Sequence, residues 1–126
     1  MNIALWIVTA LLALAFAAAG ALKLSQSKEK LAASGMGWTD DYSPTMIKTI
    51  GAVELLAAIG LVLPALTGIA PILVPLAATG LVIVMIGAIL THARRNELQA
   101  IGINAALLAL AAFVAVGRFA LAPFGA

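Results

Sequence analysis

Glu54 lies in the middle of IKTIGAVELLAAIGLVLP, residues 47–64, a stretch that is otherwise almost entirely apolar. A carboxylate inside such a segment can exchange a proton or hold a hydrogen-bond donor in surroundings that exclude water. Its helical neighbours are small: Gly51 at i−3, Ala57 at i+3 and Ala58 at i+4. Another backbone can therefore come close to that face. Four further residues can gather around it. Lys23 and His92 close apolar segments, Asn104 sits inside another, and Trp38 lies in the loop GMGWTDDY. A carboxylate and an imidazole can pass protons to and from a substrate, which makes Glu54 and His92 the candidate catalytic pair. Lys23, Trp38, Glu54, His92 and Asn104 together are the candidate ligand-binding residues.

Each of these has a plainer reading. Lys23 and Lys48 can snorkel to lipid headgroups. His92 can cap a helix C-terminus, and Asn104 can hydrogen-bond between helices. Trp6 and Trp38 fit interfacial anchors on opposite faces, with GMGWTDDY alternatively folding as a re-entrant lid over the polar residues. The depth of Glu54 decides which contacts are within reach. It lies about 15 Å in if its helix enters the membrane at Pro44, and about 9 Å if it enters at Lys48. The shallower register lets Lys23 and His92 approach Glu54; the deeper one leaves only Asn104 in easy reach.

Several chemistries are excluded. The chain has no cysteine, so thiolate catalysis, iron–sulfur ligation and cysteine-type zinc sites are absent from it. One histidine near one carboxylate does not make a metal site. A lone His92 offers no support for a haem. No nucleophile elbow, glycine-rich phosphate loop or basic run is present, and nucleic acid is not an expected partner.

The elements that must position these residues are helices in a membrane. The 126 residues are 64% hydrophobic and 10% charged, against about 25% charged in ordinary soluble domains, and the mean hydropathy is +1.17. Four apolar segments stand out: Ile3–Leu22, and roughly Pro44–Pro64, Pro71–Leu90 and Leu98–Gly117. Each is near the length needed to cross a hydrocarbon core of about 30 Å as a helix. The expected fold is an all-α integral membrane four-helix bundle, one domain over residues 1–126. The first segment is expected to be kept as a helix and not cleaved. Its apolar run exceeds a signal-peptide core, and no basic residue precedes it. Ser43 with Pro44, and Asn96 with Gln99, read as helix starts; Pro64 and Gly68 read as the end of the second helix. SKEKLAAS suggests a short interfacial helix stopped by Gly35 and Gly37. Lys23, Lys28, Lys30 and Lys48 flank the first loop and Arg94 and Arg95 the third, so these loops are expected to face the cytoplasm and both termini outward. No strong internal repeat is visible. Ala13, Ala17 and Ala21, four apart, suggest an outer face on which a homodimer could form.

The ordered combination of AGALKL (residues 19–24), GMGW (35–38), IGAVELLAAIGLVLPALTG (50–68) and PLAATGLVIVMIGAILTHARRNE (75–97) resembles the DoxX-like family of small four-helix membrane proteins, over nearly the whole chain. The resemblance implies a bundle in the bacterial cytoplasmic membrane, with Lys23, Glu54 and His92 at positions where the family carries polar residues. It also implies membrane redox work. One branch resembles subunits of a thiosulfate:quinone oxidoreductase, and another is linked to an assembly with superoxide dismutase and a sulfurtransferase. Without cysteine this chain cannot relay thiols itself, so redox partner proteins would supply that step. Three functions follow as expectations. The first is a membrane subunit of a redox assembly that binds a quinone or another apolar ligand. The second is a proton-coupled small transporter built on Glu54. The third is a membrane scaffold in which Glu54 and Lys23 only join helices. Small multidrug-resistance proteins are a parallel for the transporter, but they carry their acid in the first helix and more aromatic lining.

Overall fold

A computed structural model describes residues 1–124. Four long helices, α1 (Asn2–Ser25), α3 (Pro44–Thr67), α4 (Leu73–Arg94) and α5 (Leu98–Val116), are joined by a long first connection and two short ones. The first connection carries a short helix, α2 (Lys28–Ala33), and a 3₁₀ turn at Gly37–Asp41. A π-helical turn, Gly117–Leu121, extends α5, so the last apolar span runs Leu98–Leu121. All four spans are long and apolar enough to cross a membrane. The protein is a multi-pass membrane protein of the all-α class.

The helices are apolar all round, so water does not choose their inward faces as it does in a soluble bundle. Packing chooses instead. Leu12 and Phe16 of α1, Leu61 of α3, Val74, Leu81 and Met85 of α4, and Val114 of α5 form one core. Ile7, Leu14, Leu56, Leu66 and Ile83 point outward and contact lipid. Glycine sets the closest crossings. A Cβ on Gly20 of α1 would fall 2.6 Å from the Gly51 carbonyl oxygen and 2.8 Å from the Leu55 nitrogen of α3. Only a hydrogen in place of a side chain permits that approach.

The helix ends differ from the sequence expectation in informative ways. α1 runs to Ser25, so Lys23 lies within its last turn and not after it. Pro64 lies inside α3; a membrane helix tolerates the bond it removes, and Gly68, at φ 71°, makes the stop. Pro75 belongs to the first turn of α4, where its missing N–H would have had no partner. Ser43 and Ser27 cap α3 and α2 through Met46 and Lys30 N–H groups, and Gly35, at φ 102°, follows α2. Asn96 is not the N-cap of α5. It has φ 56°, Glu97 N–H bonds His92 O at 3.0 Å, and Asn96 N–H bonds Ala93 O at 3.2 Å. That pair of bonds closes the C-terminus of α4 with a left-handed residue, a position asparagine tolerates. Ala13 and Ala17 are half-buried and pack against the core, while Ala21 is exposed.

Candidate functional site

The crossing of α1 on α3 places Lys23 over Glu54. Lys23 Nζ lies 2.7 Å from Glu54 Oε1, and the residues are 7% and 3% exposed. The contact is ionic and off hydrogen-bond alignment, and no other aligned donor reaches Oε1. Lys48, six residues earlier on α3, does not reach for headgroups. Its ammonium donates to the carbonyls of Lys23, Leu24 and Gln26 at 3.1, 2.8 and 2.9 Å. A cation bonded to the final carbonyls of α1 offsets the negative end of that helix and fixes its last turn. Lys23 is held in place as a result.

The first connection closes over this pair. Buried Leu31 anchors α2, and fully buried Thr39 ties the 3₁₀ turn through a 2.7 Å bond to Met36 O. The turn presents Trp38, whose ring centroid is 5.7 Å from Lys23 Nζ and meets the Tyr42 ring edge-on at 5.7 Å. The Tyr42 hydroxyl bonds Thr91 Oγ1. Thr91 donates to Gly87 O in its own helix, so Tyr42 is the donor of the pair.

These residues border a cavity of about 290 Å³ between the helices, with Ile50, Val84, Met85 and Ala88 as its apolar wall. Lys23, Trp38, Glu54, His92 and Asn104 all line it. Their contacts differ from the expectation in two respects. His92 Nδ1 bonds Glu97 Oε1 at 2.9 Å, not Glu54. Asn104 donates to Ala100 O, one turn back in α5, and not to another helix. The left-handed Asn96 explains the first: it turns the chain so that Glu97 meets His92 through backbone and side chain at once. Arg95 then joins both ends of the site. Its Nε donates to Glu97 Oε1 and its Nη1 to Asp41 Oδ2, each at 3.2 Å. The His92 hydrogen bond, with the Arg95 charge behind it, holds the Glu97 carboxyl below the usual carboxylate range.

The sequence model of the DoxX-like family matches residues 7–114. The chain belongs to the DoxX-like family. Every cavity residue of this DoxX-like chain, from Lys23 to Asn104, falls inside the matched region, whereas Arg118 lies beyond it. Comparison with curated proteins and with solved structures finds no match.

Tyr42, Thr91 and Glu97 are the site residues that sequence reasoning missed. Tyr42 ends the GMGWTDDY loop and carried a signal. Glu97 carried one only in hindsight, as the residue after a left-handed asparagine five places past His92. Thr91 carried none: a threonine in an apolar helix most often bonds its own backbone, as this one also does. Chemically, the DoxX-like cavity combines an ammonium and a carboxylate at close range, an indole face, a phenol and an imidazole against an apolar wall. That set suits an amphipathic ligand with a flat ring and polar edge atoms.

Proposed function

We propose that this DoxX-like protein is the ligand-binding membrane subunit of a redox assembly, and that its cavity takes the ring of a quinone-class molecule. The observation that carries the reading is the buried Lys23–Glu54 pair on the wall of an otherwise mostly apolar cavity, with one carboxylate oxygen free of aligned donors. A ring carbonyl accepts from Lys23, a ring hydroxyl donates to Glu54, and the ring lies against Trp38. Glu54 exchanges the proton at the ligand. His92 connects the cavity to Glu97, whose side chain is 33% exposed, and so to water. Electrons come from a partner protein. The basic residues Lys28, Lys30, Arg94 and Arg95 around this end support a cytoplasmic orientation for it, in the bacterial cytoplasmic membrane.

Native mass spectrometry of the protein gently extracted from its own membranes tests this. The expected result is an adduct of quinone mass on the wild type, lost from Trp38→Ala and from the double variant Lys23→Met with Glu54→Gln. The double variant leaves no unpaired charge behind, so ligand loss is not confused with unfolding. A wild-type protein that carries protein partners and no apolar ligand would sink the quinone reading in favour of the scaffold. Substrate-driven proton flux in liposomes that Glu54→Gln abolishes, with no bound quinone, would favour transport.

A further inference from the structure

Arg118 sits at the opposite end of the bundle, outside the cavity and outside the family match. It is 3% exposed and lies in the π-helical turn that extends α5. Its Nη1 donates to Asn2 Oδ1 at 2.7 Å and to Ala122 O at 3.0 Å. One face of the guanidinium is covered by Phe124, 3.8 Å from Cζ to the ring centroid, with Trp6 at 5.8 Å. The remaining edge is Nε with Nη2, and both atoms are buried without a hydrogen-bond partner among the described residues. On a guanidinium that edge presents two parallel donors, matched to two oxygens of one phosphate or carboxylate group. Charged donors left unmade in a buried site are costly, so this edge calls for an anion.

The chain supplies no acidic side chain for it. The five are Glu29, Asp40, Asp41, Glu54 and Glu97, and all belong to the first connection, the Glu54 half of α3 or the α4–α5 turn. Those lie toward the cavity end. An anion from outside the bundle fits the edge that no acidic side chain meets. Arg118 is three residues from the end of the span Leu98–Leu121, and Trp6 beside it belongs to a residue type that marks the headgroup level. The Asn2 contact sets the guanidinium at the first residue of α1, whose first turn has no acidic residue and no side-chain cap. The positive end of that helix adds to the attraction for an anion.

We infer that Arg118 binds the phosphate of a membrane phospholipid through its Nε–Nη2 edge. The phosphodiester has two non-bridging oxygens at the depth of Trp6 and is present in the bilayer at high local concentration. The Ala122 carbonyl holds Nη1 and the Phe124 ring covers one face, so neither contact occupies the Nε–Nη2 edge. This site lies apart from the proposed quinone cavity and does not depend on it.

The test uses the full chain in detergent, titrated with phosphatidylglycerol, with diacylglycerol of the same acyl chains, or with inorganic phosphate. Lipid adducts are read by native mass spectrometry and stability by thermal unfolding. The expected result is that phosphatidylglycerol forms a discrete adduct and raises the unfolding temperature, while diacylglycerol and inorganic phosphate do neither. Arg118→Gln weakens phosphatidylglycerol binding by about tenfold or more, and Arg118→Lys, which keeps the charge without the two-donor edge, falls between. Wild-type binding by Arg118→Gln or by Arg118→Lys would overturn the assignment. Equal stabilisation by inorganic phosphate would overturn the lipid source. If Arg118→Gln does not fold, the wild type still decides, because equal effects of phosphatidylglycerol and diacylglycerol would show that the phosphate is not recognised.

Discussion

Each end of this bundle buries a basic side chain, and the two ends neutralise it differently. At the cavity end Lys23 meets Glu54 at 2.7 Å. At the other end Arg118 is wrapped by Trp6, Phe124 and Asn2, with no acidic side chain beside it among the described residues. The side chains are chemically distinct in a way that fits this division. A lysine and a carboxylate can cancel both charges by moving one proton between them, whereas a guanidinium stays charged. The pair can thus live beside an apolar cavity and exchange a proton there. Arg118 can only attract a fixed anion, so it belongs at the membrane surface, where anions are found. Charge closed within the chain leaves room for chemistry, and charge left open looks outward.

The largest test of that contrast makes the first end resemble the second. Glu54→Gln leaves Lys23 buried without an acid, and breaking a buried pair from one side costs about 3–5 kcal/mol. Lys23→Met with Glu54→Gln removes both charges and should recover most of that loss, because two neutral groups carry no desolvation penalty. Unfolding of the three proteins in mixed detergent micelles measures it. A single variant as stable as the wild type would show that Lys23 escapes to water and that Glu54 is not its neutralising partner.

The glycines give a smaller contrast between the same two ends. A Cβ on Gly20 would meet backbone atoms of Gly51 and Leu55, which cannot step aside without moving α3. The three atoms nearest a Cβ on Gly117 all belong to the Leu5 side chain and none to backbone, and a side-chain end yields more easily than a helix backbone. Gly20→Ala is expected to cost about 1–3 kcal/mol as overpacking, and Gly117→Ala less. The better helix propensity of alanine, about 1 kcal/mol, offsets part of both. The cavity-end variant should also lose bound ligand, since the same crossing sets Lys23 over Glu54. Equal costs at the two sites would mean that α1 and α3 separate easily.

The sequence showed the four spans and Glu54 clearly, because a run of about 20 apolar residues and a charge inside one are local signals. Lys23 opposite Glu54 was legible as one of two registers. The choice depended on α1 running three residues past Leu22, and helix ends are set by contacts such as Lys48 on the last carbonyls. The partner of His92 was not legible, because it hangs on one left-handed residue, Asn96, that the sequence offers equally as an N-cap. Arg118 read only as a lone basic residue near the C-terminus. Its burial arises from Asn2, Trp6 and Phe124, more than a hundred residues away or beyond the last span, and no periodicity announces such a meeting.

The smallest expected effect lies at the water-exposed edge of the cavity end, and it separates a surface ion network from the buried pair. Glu97 joins His92 and Arg95, and Arg95 joins Asp41. The Glu97 carboxyl is held below its ordinary value of 4.5, so the native state favours its charged form. Its contribution is therefore complete above about pH 4.5 and is lost as the pH falls through the lowered value. Amide exchange at Arg95–Glu97, corrected for intrinsic rates, should show protection that falls on acidification in the wild type and no such step in Glu97→Gln. Salt should weaken the same protection, since screening lengths shrink from about 10 Å at 0.1 M to about 3 Å at 1 M. The Lys23–Glu54 pair is shielded from water and should not respond to salt. A salt response of equal size at both places would mean that water and ions enter the cavity freely, and the division between closed and open charge would fail at that end.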